Sequence, residues 1–154
     1  MHSFAFYGNG MPELMEKIDS LTSLYKNVSS HGRFNSSTDL ESIYSNIDIL
    51  ICCYDVTNTN VRLAEPNKLY ESIFFNKPIV VSEGTYLGDK VKKMGVGFTL
   101  NAEDEKAIEN LVECLSLEGI NQAIRKMEEV PTLKLIDNGN ELVNIIERRT
   151  FNNE

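Results

Sequence analysis

No apolar run in the chain approaches the ~18 residues that a helix needs to cross a bilayer, so no membrane-spanning helix is expected. The opening, MHSFAFYGNG, lacks a basic segment followed by a long apolar one, and it does not read as a signal peptide. Cysteine is scarce. Cys52 and Cys53 are adjacent inside an apolar run, Cys114 sits on an expected helix, and the three have no metal-type spacing. Such an odd set reads as reduced thiols in a cytoplasmic protein, not as a disulfide framework, a metal centre or a catalytic cysteine. Basic residues are outnumbered, 15 against 23 acidic ones, for a formal charge of -8. That balance argues against nucleic acid or an anionic membrane as the main partner, but leaves room for a local basic pocket that takes a phosphate. No internal repeat, low-complexity tract or interdomain linker is visible. The 154 residues are 42% hydrophobic and 25% charged. That is enough for one domain with a real core, spanning 1–154, and too regular for disorder.

Strand and helix patterns alternate. SFAFYG is a short apolar run ended by glycine, and PELMEKIDSLTSLYK follows with Leu14, Ile18, Leu21 and Leu24 at helical spacing behind Pro12. NVSSHGRF is a weaker strand. STDLESIYSNI has Glu41 three residues after Thr38, in capping-box style. IDILICCYD is apolar throughout, as a strand covered on both faces should be. A polar loop, VTNTNVRLAE, leads to the helix PNKLYESIFFN, the strand KPIVVS, the helix TYLGDKVKKM and the strand GVGFTL. AEDEKAIENLVECLS, INQAIRKMEEV and, after Pro131 and the turn DNGN, ELVNIIERR complete the chain as helices. Five strands separated by helices predict an α/β fold: a Rossmann-like, doubly wound parallel sheet of about five strands with helices on both faces.

In such a sheet, ligands bind beyond the carboxyl ends of the strands. The segments to inspect are GNGM, HGRF, YDVTNTNVRLAEPNK and SEGTYLG. Gly8 and Gly10 are half of a dinucleotide fingerprint, but Glu13 stands where the third glycine belongs, so a nicotinamide or flavin cofactor is not expected. A tight turn with positive φ accounts for at least one of the two. EPNKLYE, Glu65–Glu71, asks a sharper question. With Glu65 as a cap-like residue and Pro66 first in the helix, the N–H groups of Asn67, Lys68 and Leu69 would stand open at the rim beside the Lys68 charge. A helix start of that kind favours an anion. Glu71, one turn on, could accept hydrogen bonds from ribose hydroxyls while a diphosphate sits at the helix start. The plainer reading is a surface ion pair between Lys68 and Glu71 on the face opposite Leu69, Tyr70, Ile73 and Phe74.

The stretch AEPNKLYESIFFNKPIVVSE resembles the donor-binding segment of GT-B glycosyltransferases, and is most similar to retaining enzymes of bacterial capsule and lipopolysaccharide synthesis. The resemblance extends in order through FYGNG, HGRF, IYSNIDILICCYD and GVGFTL, so it covers most of the chain. It implies the C-terminal, nucleotide-sugar-binding domain of such an enzyme, with the N-terminal acceptor domain, or a partner chain in its place, outside this sequence. It implies that Glu71 binds the donor ribose, that Asn67, Lys68 and Leu69 lie near the diphosphate, and that Gly32 and Arg33 form a turn near the base. Gly8 and Gly10 fall on the same rim. Lys68 and Glu71 are then the catalytic candidates, with no metal and no cofactor beyond a nucleotide-diphosphate sugar of UDP type as donor substrate. The family's EX7E pattern is not met, since Leu63 stands eight residues before Glu71 and Glu65 is out of register. A strand-helix unit carrying a donor-contacting arginine and lysine is also missing. The expected chain is therefore part of a cytoplasmic transferase, at most peripherally associated with a membrane as a whole enzyme, and inactive by itself.

Two other classes compete. One is a non-catalytic interaction or partner-subunit module on the same fold, docking through ELVNIIERR. The other is a flavodoxin-like signalling domain, which needs an acidic cluster at its strand ends where this chain has Asp55 alone. His31 reads as a rim histidine, Glu103–Glu105 as a helix start favoured by the dipole, and Lys90–Lys93 as a solvated helix face that, following GTYLG, could also lie near the donor phosphate.

Overall fold

The computed structural model of the chain describes residues 2–136. The turn DNGN and the helix expected at ELVNIIERR lie outside the described residues. Backbone contacts divide the chain into two compact units at Ser45 and Asn46.

The first unit holds β1 (Phe4–Phe6), α1 (Pro12–Leu24), β2 (Val28–Ser30) and α2 (Leu40–Ser45). The two strands pair in parallel, Phe4 opposite Val28 and Phe6 opposite Ser30. Pro12 opens α1, where its missing N–H costs nothing. The capping box expected before α2 is not made. The Thr38 hydroxyl instead donates to Asp39, whose carboxylate accepts from the Asn35 N–H at 2.8 Å. Hydrogen bonding to its charged form holds the Asp39 carboxyl below its ordinary value. Within residues 2–45 Tyr44 is the one buried hydrophobic residue, and Phe4, Phe6, Leu14, Leu21 and Leu24 are exposed.

The second unit holds β3 (Leu50–Cys52), α3 (Thr59–Leu63), α4 (Lys68–Phe74), β4 (Ile79–Ser82), α5 (Tyr86–Met94), β5 (Gly97–Leu100), α6 (Glu105–Cys114), α7 (Leu117–Glu128) and a 3-10 turn at Thr132–Lys134. Its sheet is parallel in the order β3-β4-β5. All five expected strands form and every pairing is parallel. They are hydrogen-bonded as two sheets, one of two strands and one of three, where a single five-stranded sheet was expected.

β4 is buried on both faces along its whole length. Ile79 and Val81 enter a core with Cys52, Leu69, Ile73, Leu87, Val91, Val96 and Met127, which draws in α4, α5 and α7. Full cover was expected for β3 instead. There, Leu50 and Cys52 turn toward the core. The two-residue period puts Ile51 on the other face, where it is 56% exposed. The loop read from VTNTNVRLAE contains α3, whose start is capped by the Asn58 side chain accepting from the Asn60 N–H at 2.9 Å.

Two backbone features fix α4 and β5. A Schellman turn ends α4: the Asn76 N–H bonds the Ile73 carbonyl at 3.1 Å and the Lys77 N–H bonds the Ser72 carbonyl at 2.8 Å. Asn76 takes a φ of 54°. Asparagine tolerates that region better than most residues, and Pro78 then begins the run into β4. In β5, a Cβ on Gly97 would stand 2.0 Å from the Ile79 carbonyl oxygen. Neither backbone can yield there without opening the β4–β5 ladder. Gly97→Ala is therefore expected to lower unfolding stability by at least about 3 kcal/mol, the upper range for overpacking, read as a fall in the urea midpoint. An unchanged midpoint would mean that the strands do not approach so closely.

Candidate functional site

The carboxyl ends of the strands carry two separate sets of polar groups, one in each unit. In the first, the β1–β2 ladder continues past both strands: the His31 N–H bonds the Phe6 carbonyl at 2.9 Å, and the Gly8 N–H bonds the Gly32 carbonyl at 2.7 Å. The backbone φ is 124° at Gly8 and 65° at Gly32. L side chains are strained in both regions, and open space surrounds both positions, so glycine is needed for conformation and not for room. Gly10 lacks that need. The rings of Tyr7 and His31 stack beside this turn, 4.5 Å between centroids and 9° from parallel. His31 Nε2 lies 3.1 Å from the Ser29 hydroxyl. Arg33 is exposed. Gly8, Gly32 and their neighbours are thus brought together.

In the second unit the rim forms where β3 and β4 end. The Tyr54 N–H donates to the Ser82 hydroxyl at 2.8 Å, and the same hydroxyl donates to the Tyr54 carbonyl at 2.8 Å. Ser82 is buried, so the backbone of Tyr54 is held where the ladder stops. Cys52 closes β3, Tyr54 follows two residues on, and each influences the other's ionisation. The charges of Lys68 and Glu71, on α4, both reach Cys52, and that of Glu71 reaches Tyr54 as well. Burial pushes the Cys52 thiol up, and pushes the Tyr54 hydroxyl up to about 12 with help from Cys52 and the Glu71 charge. Both are protonated at neutral pH. Burial raises Cys53 as well, which removes the thiolate that nucleophilic chemistry would need.

α4 does not begin as the sequence suggests. Asn67 is its cap residue, already helical in backbone and with no side-chain capping bond, and Lys68 is its first residue. The Leu69 N–H is not open to a ligand, because it bonds the Pro66 carbonyl at 3.2 Å, and the Leu69 side chain is in the core. The buried face is Leu69, Ser72 and Ile73, while Phe74 is 59% exposed. Ser72 belongs there because its hydroxyl donates to the Leu69 carbonyl at 2.8 Å. The surface ion pair between Lys68 and Glu71 is not made, and among the described residues Lys68 forms no ion pair.

Glu65 is not a cap either. Its carboxylate accepts from the Tyr70 hydroxyl and pairs with Lys90 of α5. Lys90 therefore leaves the solvated face on which it was expected; Lys92, 66% exposed, stays there. Tyr54 lay within a segment marked for inspection but was not singled out, and the pairing of Lys90 with Glu65 was not foreseen. The two-residue step from Cys52 signals Tyr54, whereas nothing local signals a partner so far along the chain from Glu65.

Asp55 closes the turn after β3 by accepting from the Thr57 N–H at 2.8 Å and from the Thr57 hydroxyl. Among the described residues no three His, Cys, Asp or Glu side chains are grouped to hold a metal ion. No described helix is long and apolar enough to cross a membrane.

Together these features define a parallel α/β fold with polar groups at the strand ends. No family model and no curated protein matches the sequence. Among solved structures, the fold is similar to that of WaaG, a glycosyltransferase involved in lipopolysaccharide biosynthesis, with a TM-score of 0.56 and 13% identity. The match covers 86% of this chain and 35% of that one, so this chain spans about a third of its length.

Burial pushes the Glu65 carboxyl up, but hydrogen bonds from Lys90 and Tyr70 and the Lys90 charge outweigh it and hold the group below 4.5. A depressed carboxylate stabilises the fold above its unfolded value, and that contribution is lost as pH falls. Glu65→Gln should cost about 1 kcal/mol at pH 7. In urea melts across pH 3–7, the deficit should close as pH drops below about 4.5. A deficit independent of pH would rule out the ion pair as its source.

Proposed function

We propose that this chain is the nucleotide-sugar-binding part of a glycosyltransferase of GT-B type. The likeness of its fold to part of a glycosyltransferase, over 86% of the chain, is the observation that carries this reading. Lys68 and Glu71 support it locally. They stand on α4, whose Leu69 and Ile73 share a core with Cys52 of β3, and among the described residues Lys68 forms no ion pair. In this reading Lys68, with Asn67 beside it, faces the donor diphosphate, and Glu71 takes the ribose hydroxyls. Leu69 contributes packing alone, since its N–H is engaged.

The bond from the anomeric carbon to the diphosphate oxygen breaks, and a bond to an acceptor hydroxyl oxygen forms, with retention at that carbon. The acceptor proton leaves with the diphosphate. Negative charge builds on the departing oxygen, and the Lys68 ammonium stabilises it there without proton transfer. The acceptor side of the cleft belongs to another domain or a partner chain, so the chain alone binds the donor and transfers nothing. Surface polysaccharide assembly at the cytoplasmic face is the setting proposed for the whole enzyme, with a UDP-sugar as donor.

Titration of UDP and GDP into the chain by NMR or calorimetry tests this. Saturable binding that Glu71→Ala and Lys68→Ala each weaken about tenfold, a loss of one charged contact, is the expected outcome. Absence of binding at millimolar nucleotide by a folded chain overturns it.

One observation favours a second reading, a partner-subunit module. Residues 2–45 leave Phe4, Phe6, Leu14, Leu21 and Leu24 exposed around one buried residue, Tyr44. Apolar surface of that kind marks contact surfaces. Sedimentation equilibrium of the isolated chain would show self-association that Leu14→Glu and Leu21→Glu abolish; a monomer at high concentration speaks against docking between copies.

A further inference from the structure

α4 has a weak beginning. It is two turns long, too short to hold its own geometry, and it lacks a side-chain cap at Asn67. Burial of Leu69, Ser72 and Ile73 fixes its inner face. Burial alone does not fix how Pro66, Asn67 and Lys68 enter it.

A closed cluster from three segments does. The Glu65 carboxylate, just before the helix, accepts from the hydroxyl of Tyr70 in its first turn and from Lys90 of α5. Lys90 Nζ also donates to the Tyr70 oxygen at 3.1 Å and lies 5.2 Å from the centre of that ring, within cation–π range. The Lys90 and Glu65 side chains are 28% and 24% exposed. The Glu65–Tyr70 bond spans the helix start from loop to first turn, as a cap does. Lys90 then ties that start to α5, whose own beginning is fixed to β4: the Thr85 hydroxyl donates to the Ser82 carbonyl and accepts from the Gly88 N–H.

We propose that the Glu65–Tyr70–Lys90 cluster is a positioning element for nucleotide binding. It sets the direction in which Asn67, Lys68 and Glu71 meet the ligand and touches no ligand itself. The inference rests on the donor-binding reading above. Lys90 and Glu65 are positioning residues, and the cluster stands in for the side-chain cap that α4 lacks.

The test uses the full chain with Lys90→Met, Lys90→Arg, the charge swap Glu65→Lys with Lys90→Glu, and Lys92→Met as the exposed control. Amide exchange is followed at Lys68–Glu71 and at Val81 in the core, and UDP and GDP affinity is measured alongside. Lys90→Met should speed exchange at Lys68–Glu71 about tenfold while leaving Val81 unchanged, and should weaken nucleotide binding by a similar factor. Lys90→Arg and the swap should restore both, and Lys92→Met should change neither. Unchanged exchange at Lys68–Glu71 in Lys90→Met overturns the proposal. So does lost affinity that Lys90→Arg rescues and the swap does not, which would make position 90 a direct phosphate ligand. A wild-type chain that binds neither nucleotide overturns the donor-binding reading and the cluster's role in it. The exchange data would then still decide whether the cluster positions α4.

Discussion

Strand β4 has a partner along each edge and a buried face on each side. Its backbone donors and acceptors have nowhere to go but its neighbours, so Ile79–Ser82 sets the register of both β3 and β5. Gly97 lets β5 approach to within a distance that any Cβ would forbid. At the far end Ser82 satisfies the Tyr54 N–H and carbonyl where the ladder runs out, and its own carbonyl takes the Thr85 hydroxyl. The positions of Tyr54, of α5 and, through the core, of α4 all follow from that one buried strand.

The polar groups of the second unit divide into two sets with different chemistry. Cys52, Tyr54, Lys68 and Glu71 surround the end of β3, where partial burial keeps the thiol and phenol protonated and Lys68, among the described residues, forms no ion pair. Glu65, Tyr70 and Lys90 are engaged with one another. A cation outside any ion pair is available to an anion, and a matched pair is available to hold a backbone in place. The division fits a site in which one set would meet a ligand and the other would keep the first in register. Among the described residues every buried side-chain nitrogen and oxygen has a hydrogen-bond partner, so neither set stores an unmet demand.

Much of this was legible in the residues. The amphipathic spacing of α1 and the acidic start of α6 each announce their element locally. Asp104 does cap α6, accepting from the Lys106 N–H at 3.0 Å. The errors are equally local in origin. Pro66 resembles a first helical residue, but α4 starts two residues later, at Lys68. Thr38 and Glu41 have the spacing of a capping box, yet the Thr38 hydroxyl donates to Asp39, whose carboxylate also accepts from the Asn35 N–H. The polar run of α3 hid a helix one turn long, too short to show a period. Ile51 looked like core because an apolar run does not say which of its faces is covered.

The sequence by itself determined the order of strands and helices and their parallel pairing, since these follow from hydrophobic period, caps and glycines acting over a few residues. Only the tertiary structure decided which strand is central, how the five strands are divided between two sheets, and which charges are paired. Lys68 and Lys90 show the reason. Both are lysines on short helices, and one is paired with a carboxylate while the other, among the described residues, is not. Along the chain Glu65 lies close to Lys68 and far from Lys90, but it pairs with the more distant one. Electrostatic partners are chosen by distance through space, and packing on β4 brings α5 to Glu65.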